Sequence, residues 1–401
     1  MADHSPSNGA TEVFVATYHD TPDRRLARAQ IALRRRLHNG TGLWEAKIGK
    51  ELISAPGGPN SLPEELAQRL TAPLRNRQLL EIVRLRTGTN DVAELEGQHV
   101  LRSYRTLDRA LQRTVAPPKE RETRKRAPAI EHVRAYMRAQ LAEIERTDPL
   151  IRSGEEQPDA VHDFRVAMRR LRSALRSTRD LFDEAWVREL RAELKWAAGE
   201  LGPARDLDVM LGRLRRDSDA EATPVLKLLE TERRRAWRRA RSLLTSERYL
   251  KLLDRLSVAV EAPPVRTAEL SLEQVAAREF KKLRKAASTL GRKSSAEQIH
   301  RARIQAKRAR YAAELAAPVA GKRSERFVSE AKKFQDVVGA HQDAVVAAER
   351  IRGVTERSKN TETAFAAGRL AERTFAERRK ARRKIPQAWK RLNRQGRKSW
   401  A

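Results

Sequence analysis

The spacing of apolar residues divides the chain into a short N-terminal region with β character and a much longer helical region. Residues 13–18 have a β-prone composition, and two apolar runs, 31–37 and 43–48, flank a Gly-rich segment at 39–42. Two short strands around such a turn are typical of a β-hairpin. A helix is predicted to begin near Pro63, since Pro is favoured in the first turn. This region is therefore predicted to be a small α+β subdomain.

Beyond this region, apolar residues recur at helical spacing, and no convincing strand pattern interrupts them. Pro and Gly residues mark four expected breaks between helices, at 147–149, 202–203, 263–264 and 318–321. The helical pattern is expected to end near residue 392. The final stretch up to Trp400 is dense in Arg and Lys, and we expect it to fray because like charges destabilise a helix.

The helical region repeats itself at an offset of 138 residues. His162, Arg165, Arg170 and Arg172 recur as identical residues at 300, 303, 308 and 310, and Arg169 aligns with Lys307. A second landmark, 202–206, recurs at 339–343 at nearly the same offset. Two landmarks in the same order indicate that a helical bundle has been duplicated. The chain is thus predicted to comprise a disordered leader (1–11), the α+β subdomain (12–115), a charged, Pro-bounded linker (116–128), two helical bundles (129–262 and 263–393) and a basic tail (394–401).

The first copy of the repeat combines an apolar seam with a basic stripe. Residues spaced three and four apart share a helix face, which predicts a packed seam of Val161, Phe164, Met168, Leu171 and Leu175. The basic stripe follows the same spacing one residue on, about 100° around the helix, and would extend roughly 21 Å at about 1.5 Å per residue. It consists of His162, Arg165, Arg169, Arg172 and Arg176, widened by Arg170.

The second copy has the same design with smaller seam residues. Its predicted seam is Ile299, Ala302, Ala306, Ala309 and Ala313, and its stripe is His300, Arg303, Lys307 and Arg310. The alanines should allow a neighbouring helix to approach more closely. The second landmark of each copy is predicted to be a helix turn or kink, with Asp206 and Asp343 capping a helix or pairing with arginines.

Each basic stripe can be interpreted as a solvated helix face or as a surface for a polyanion. A solvated face usually mixes signs, because like charges at i,i+4 destabilise a helix. Here Asp163 lies off the first stripe, and the same uncompensated row occurs twice. Arg also presents a rigid fork of donors that suits phosphate oxygens. We therefore favour two stripes that face one another and bind a chain of phosphates between them.

The histidines at the head of each stripe fit a phosphate contact or an orienting hydrogen bond. A positive His near a polyanion would be a charge-assisted donor. A zinc site formed by His162 and His300 is disfavoured, because no third His or Cys stands at ligand spacing.

The composition indicates a polyanionic partner but does not identify which polyanion it is. The 401 residues carry a formal net charge of +31, which favours nucleic acid, an anionic membrane or polyphosphate. The absence of Cys excludes disulfides and thiolate chemistry. Aromatic residues make up 5%, so stacking platforms for single strands are poorly supplied. With no signal-peptide pattern and no apolar run long enough to span a bilayer, we expect a cytoplasmic protein that has no membrane partner.

The segments 162–172 and 300–311 resemble the CHAD domain, and the resemblance covers about residues 128 to 393. It implies a mainly α fold of two pseudo-symmetric, antiparallel four-helix bundles that bind polyphosphate in a basic groove between them. It also implies a set of polyphosphate-binding residues: His162, Arg165, Arg169, Arg170, Arg172, His300, Arg303, Lys307, Arg308 and Arg310. Tyr311 lies beside the second row, as a phosphate contact or as a packing residue.

Residues 18–22, 33–36 and 44–47 resemble the CYTH domain, a triphosphate-tunnel hydrolase fold, over roughly 12 to 95. The family's opening E-x-E-x-K strand has no counterpart before Val13, and after Thr87 we expect the later strands to be missing. A closed eight-stranded tunnel then cannot form. Glu45 and Glu51 do not suggest a carboxylate cluster for a metal. Arg34, Arg36 and Lys47 are either retained phosphate contacts or ordinary surface charges.

The function predicted from these features is binding of inorganic polyphosphate without catalysis, with no cofactor and no metal, in association with polyphosphate granules. Two alternatives remain open. Charge alone supports nonspecific nucleic-acid binding, and the CYTH-like region leaves room for a weak metal-dependent triphosphatase.

Overall fold

The computed structural model describes residues 14–400 except 39–40, 76, 88–91, 96–97, 102–115, 117–122, 155, 218–221, 267–268 and 358–359. The chain divides into two compact units. Unit 1 contains Met1–Arg121 and Ala142–Ala160, and unit 2 contains Glu122–Leu141 and Val161–Ala401. The predicted leader and residues 117–122 of the predicted linker lie outside the described residues.

Unit 1 is built on a seven-stranded antiparallel sheet with the order β4-β3-β2-β1-β5-β6-β7. The strands are β1 Phe14–Asp20, β2 Ile31–His38, β3 Thr41–Ile48, β4 Glu51–Pro56, β5 Leu80–Thr87, β6 Val92–Leu95 and β7 Gln98–Leu101. Short helices connect them: α1 Arg25–Arg28, α2 Glu64–Arg69 and α3 Thr71–Leu74. The predicted hairpin is confirmed as β2 and β3, and Pro63 is the N-cap of α2 as the sequence indicated.

Strands β6 and β7 correct the expectation that the sheet would end at Thr87. Each has four residues and pairs with its neighbour, β6 with β5 and β7 with β6. A run of four residues is too short to show the alternation of apolar and polar residues that predicts a strand. These two strands are therefore recognised only from their pairing in the structure. Among the described strands, β4 and β7 are the two edges, and strand pairing therefore does not close this sheet.

Unit 2 is helical. Helix α4, Ala129–Arg152, belongs to unit 2 up to Leu141 and to unit 1 beyond it. The helices that follow are α5 Pro158–Ser177, α6 Glu184–Glu200, α7 Gly202–Asp217, α8 Thr223–Thr245, α9 Glu247–Glu261, α10 Leu272–Ala287, α11 Ala296–Ala320, α12 Lys322–Arg357 and α13 Thr361–Trp400. No helix within the described ranges is long and apolar enough to cross a bilayer.

The duplication predicted from the sequence is visible in the helix starts. Helices α5, α6 and α8 begin at residues 158, 184 and 223, and α11, α12 and α13 begin 138 residues later, at 296, 322 and 361. The helices of the second copy are longer. Helix α12 covers the positions that α6 and α7 cover in the first copy, and α13 covers those of α8 and α9. Gly339 therefore lies inside a helix, which corrects the expected second turn. The first copy has Pro203 where the second has Ala340, and only Pro lacks the backbone donor that a continuous helix needs.

The seams predicted from spacing are the cores of the two bundles. All ten seam residues of α5 and α11 have 0% exposure. In the second copy they join a cluster contributed by α10, α11, α12 and α13, which is the expected four-helix arrangement. In the first copy Phe164 of α5 meets Tyr249 of α9, with ring centroids 6.1 Å apart. The mainly helical fold class is confirmed.

One predicted helix break is corrected and three are confirmed. Helix α4 continues through Pro149 to Arg152, and the buried side chain of Asp148 pairs with Arg152 one turn later. A helix can accommodate an internal Pro where tertiary packing supports the neighbouring turns. The breaks at 202–203 and 263–264 are confirmed. The break at 318–321 is also confirmed, because helix α11 ends at Ala320 and Gly321 adopts a positive φ of 57°.

The predicted basic tail is instead the end of α13, which is helical to Trp400. Its basic residues share the helix with a buried face that includes Leu392, Gly396 and Ser399. Ser399 Oγ donates a hydrogen bond to the Arg323 carbonyl oxygen at 2.8 Å, and the Trp400 ring packs edge-on against Phe327. Burial of this face stabilises a segment whose charge alone would favour fraying.

Gly396 provides a test of this packing. A Cβ added there would overlap the Phe280 ring, whereas a Cβ at Gly368 of the same helix meets nothing within 4 Å. Gly396→Ala is expected to lower the free energy of unfolding by about 1–3 kcal/mol. Gly368→Ala, the matched control, should raise it by about 0.5–1 kcal/mol through helix propensity. Urea denaturation measures both; stabilisation by both substitutions would show that the C-terminal turns do not pack.

Candidate functional site

The two basic stripes lie side by side within unit 2. Arg169 of α5 is close enough to Arg303 and Lys307 of α11 for its charge to lower the pKa of both side chains. Nearer the C-terminal end of α5, Arg172 acts in the same way on Arg308 of α11. The structure therefore brings together six cations from two helices, here called the shared basic surface: Arg165, Arg169, Arg172, Arg303, Lys307 and Arg308.

Lys307 is the most strongly perturbed cation of this surface. Burial, and then the charges of Arg303, Arg169 and Arg310, lowers the pKa of Lys307 to about 7. Burial also lowers the pKa of Arg303; Asp343 opposes this shift, and Arg169 adds to it. The buried Nε atom of Arg169 has no hydrogen-bond partner within the described residues. Asp343 offsets the positive charge of Arg303 and Lys307 only in part, so an anion would stabilise this part of the surface.

Two other arginines of the predicted basic stripes, Arg170 and Arg310, form ion pairs with Glu314. Arg170 Nε lies 2.9 Å from one carboxylate oxygen of Glu314, and Arg310 Nε lies 3.2 Å from the other. The Arg310 guanidinium also lies 4.9 Å from the ring centroid of Tyr311, which is buried. Glu314 thus links α5 to α11 through two arginines. In the sequence, Glu314 could have been predicted only as a partner of Arg310, because it follows Arg310 by four residues.

One end of the shared basic surface is extended by Arg191 of α6, which the sequence did not single out. Burial lowers the pKa of Arg191, and the charges of Arg176, Arg172 and Arg308 lower it further. Arg176 is partly neutralised, because its Nη2 atom lies 3.0 Å from the buried carboxylate of Glu279. Arg191 belongs to a helix of mixed charge that carries neither basic stripe, so only the tertiary structure associates it with the stripes.

The two aspartates of the second landmark lie at the other end. Burial raises the pKa of Asp343, while Arg303 and Arg213 oppose the shift; the Arg213 guanidinium is 3.9 Å away. Asp206 acts on Arg165, whose Nη1 donates to the Ala198 carbonyl oxygen at 2.9 Å. A Cβ at position 202 would lie 2.6 Å from Arg165 Nη1, so a larger residue there would displace this guanidinium. Both aspartates interact with arginines, as the sequence indicated, from positions inside helices.

The two histidines are exposed at the start of the rows. His300 Nδ1 lies 3.2 Å from Gln342 Oε1, on α12. In the described part of the chain, no three His, Cys, Asp or Glu side chains converge as metal ligands.

Two of the three phosphate contacts suggested in unit 1, Arg34 and Arg36, form ion pairs with Glu45. Arg34 Nε lies 2.6 Å from Glu45 Oε2, and Arg36 Nη1 lies 3.1 Å from Glu45 Oε1. Arg34 also donates to the Tyr18 hydroxyl at 3.2 Å. The Glu45 side chain is only 5% exposed, whereas Lys47, two residues further along β3, is exposed. Of this group, Lys47 has the most accessible charge.

The chain is similar to two mycobacterial proteins and to two solved structures. Two proteins of Mycobacterium tuberculosis strains, the uncharacterized proteins MT2285 and Rv2226, are each 28% identical over 91% of this chain and 85% of their own length. Among solved structures, PptA from Streptomyces chartreusis is 24% identical, with a TM-score of 0.55 over 66% of this chain and 100% of its own. The CHAD domain from the plant Ricinus communis is also 24% identical, with a TM-score of 0.57 over 66% of this chain and 92% of its own. Because the model of the CHAD domain matches residues 135–352, more than half of the sequence, the chain belongs to the CHAD domain family.

Proposed function

We propose that this protein binds inorganic polyphosphate on the shared basic surface and does not hydrolyse it. The observation that carries this proposal is the proximity of Arg169 to Arg303 and Lys307, which joins two like-charged rows into one continuous surface. Membership of a polyphosphate-related family supports the same ligand. A flexible chain of phosphates can follow such a surface and neutralise each cation in turn.

The arrangement suits a phosphate chain better than duplex DNA. The central cations are partly buried between two helices, so a ligand must reach them with a narrow backbone. Linear charge density supplies affinity without base recognition, so binding should be multivalent and salt-sensitive. Nonspecific nucleic-acid binding rests on the net charge of +31 alone.

The absence of catalysis is part of the proposal, and the contacts in unit 1 support it. Metal-assisted hydrolysis of a phosphoanhydride needs carboxylates that can hold a divalent cation. The Glu45 carboxylate is already occupied by Arg34 and Arg36. We further propose that the protein acts in the cytoplasm at polyphosphate granules, where long chains are concentrated.

Titration with polyphosphates of graded length at two salt concentrations tests the proposal. Affinity should rise with chain length until the surface is covered, and its logarithm should fall with log salt by about 0.7 for each phosphate contacted. Long-chain polyphosphate should displace duplex DNA at equal phosphate concentration and should be recovered at its original length. Displacement in the reverse order would favour nucleic acid, and shortened chains would show hydrolysis.

A further inference from the structure

A second basic cleft lies between α10 and α13, apart from the shared basic surface. It has a volume of about 460 Å³ and is lined mainly by Lys281, Arg284, Lys285, Trp389, Asn393 and Arg397. The lining residues of α13 are spaced four apart, so they share one face of that helix. On α10 the lining residues lie about 180° around the helix from Glu279, the residue that contacts Arg176. The cleft and the shared basic surface are therefore separate sites.

The charge of this cleft is uncompensated. Its lining contains four cations and no Asp or Glu. Two other cations on the same helices have acidic partners: Lys282 pairs with Glu279, and Arg379 pairs with Glu372. By contrast, no ion pair within the described ranges involves the four lining cations. Three of them stand at i, i+3 and i+4 on α10, where like charges repel. An anionic ligand would relieve this repulsion.

Two further groups indicate a ligand with more than phosphates. The Trp389 ring is partly buried and held against Phe334, with ring centroids 6.0 Å apart, while it also lines the cleft. The Oδ1 atom of Asn393, one turn further along α13, is buried without a hydrogen-bond partner in the described part of the chain. A fixed indole offers a stacking surface for a planar ring, and an amide can pair with the polar edge of a base.

We infer that this cleft binds a nucleoside polyphosphate, with its phosphates on the four cations and its base against Trp389. The volume lies within the roughly 300–1,000 Å³ of small-molecule sites and suits one nucleotide. A longer single strand is less well matched, because Trp389 is the one aromatic residue among the lining groups and successive bases would need successive rings. This inference does not depend on polyphosphate binding at the shared basic surface.

Calorimetric titration of the full chain with ATP tests the inference, with Lys281→Gln/Lys285→Gln as the cleft variant. Both lysines are exposed, so the substitutions should leave the fold intact. Loss of two phosphate contacts should weaken ATP binding by about tenfold or more, roughly one factor of ten per 1.4 kcal/mol. Arg169→Ala/Lys307→Ala, which removes two cations from the shared basic surface, should leave ATP binding at the cleft within about twofold.

Four results would overturn the inference. The first is ATP binding that is insensitive to the cleft variant, and the second is ATP binding that is lost in the Arg169→Ala/Lys307→Ala variant instead. The third is tripolyphosphate binding at the cleft as tight as that of ATP, which would show that the base makes no contact. The fourth is a single-stranded oligonucleotide that displaces ATP at far lower phosphate concentration, which would assign the cleft to nucleic acid. Trp389→Phe, which keeps a ring in the core, should weaken ATP binding and leave tripolyphosphate binding unchanged.

Discussion

Replacing Arg165, Arg169, Arg303 and Lys307 with Ala is expected to weaken the binding of long-chain polyphosphate by about 100-fold or more. Hydrogen bonds to charged groups contribute about 1.5–3 kcal/mol each, and a 100-fold loss corresponds to only about 2.7 kcal/mol, so the estimate already allows the remaining cations to compensate. The salt dependence should fall with the affinity, by about 0.7 in log–log slope for each lost contact. Fluorescence anisotropy with end-labelled polyphosphate at two salt concentrations measures both quantities.

The matched control removes four charges from an exposed helix face. Arg234, Arg235, Arg238 and Arg239 of α8 are exposed and make no ion pair within the described ranges. Their replacement by Ala changes the net charge equally and should alter affinity only through the long-range field, by less than about tenfold at physiological salt. Equal losses in the two variants would mean that net charge, and not the shared basic surface, determines binding. Circular dichroism should show the same helicity in both.

Polyphosphate affinity is expected to fall as pH rises above about 7, because the free protein then loses the Lys307 proton. Burial and the neighbouring arginines lower the pKa of Lys307 to about 7, and a bound phosphate chain should raise it again by supplying the opposite charge. Binding above pH 7 therefore takes up a proton at Lys307. Affinity should decrease by up to about tenfold per pH unit until the pKa of the bound state is reached.

Lys307→Arg separates this effect from other titrations. Arg keeps its charge throughout this pH range, so the variant should bind with much less pH dependence between 7 and 9. Calorimetry in two buffers of different ionisation enthalpy should report proton uptake by the native protein and little by the variant. An unchanged pH profile in the variant would place the titrating group elsewhere.

The lowered pKa of Lys307 also affects the free energy of unfolding. A lysine in a salt bridge stabilises the folded state, whereas charged Lys307 destabilises it. The folded state disfavours the charged form of Lys307, so the residue destabilises the fold fully below about pH 7 and progressively less as pH rises to the ordinary pKa of lysine, about 10.4. Bound polyphosphate should remove this penalty and raise the melting temperature, since it binds only the folded state.

Side-chain spacing within single helices could be derived from the sequence, because it depends on local geometry alone. The seam from Val161 to Leu175 and its copy from Ile299 to Ala313 follow from 3.6 residues per turn, and all ten positions are fully buried. The duplication was also readable, since the 138-residue offset between the stripes recurs in the helix starts. The hairpin of β2 and β3 followed from its turn.

Other features depended on which segments meet in space, and local periodicity carries no information about that. Glu314 pairs with Arg170 of a helix that is distant along the chain, and Arg191 joins the stripes from a third helix. The C-terminal turns of α13 look frayed from their charge, yet packing of Gly396 and Trp400 keeps them helical.

The sequence by itself determined that the chain has two helices each with an apolar seam and a basic stripe, because a helix places residues on its faces by a fixed angle. Only the tertiary structure decided that the two stripes adjoin, that some of their arginines are neutralised, and that Lys307 loses its proton near neutral pH. Those properties arise from burial and from charges brought close by folding, so they are set by distances between helices and not by distances along the chain.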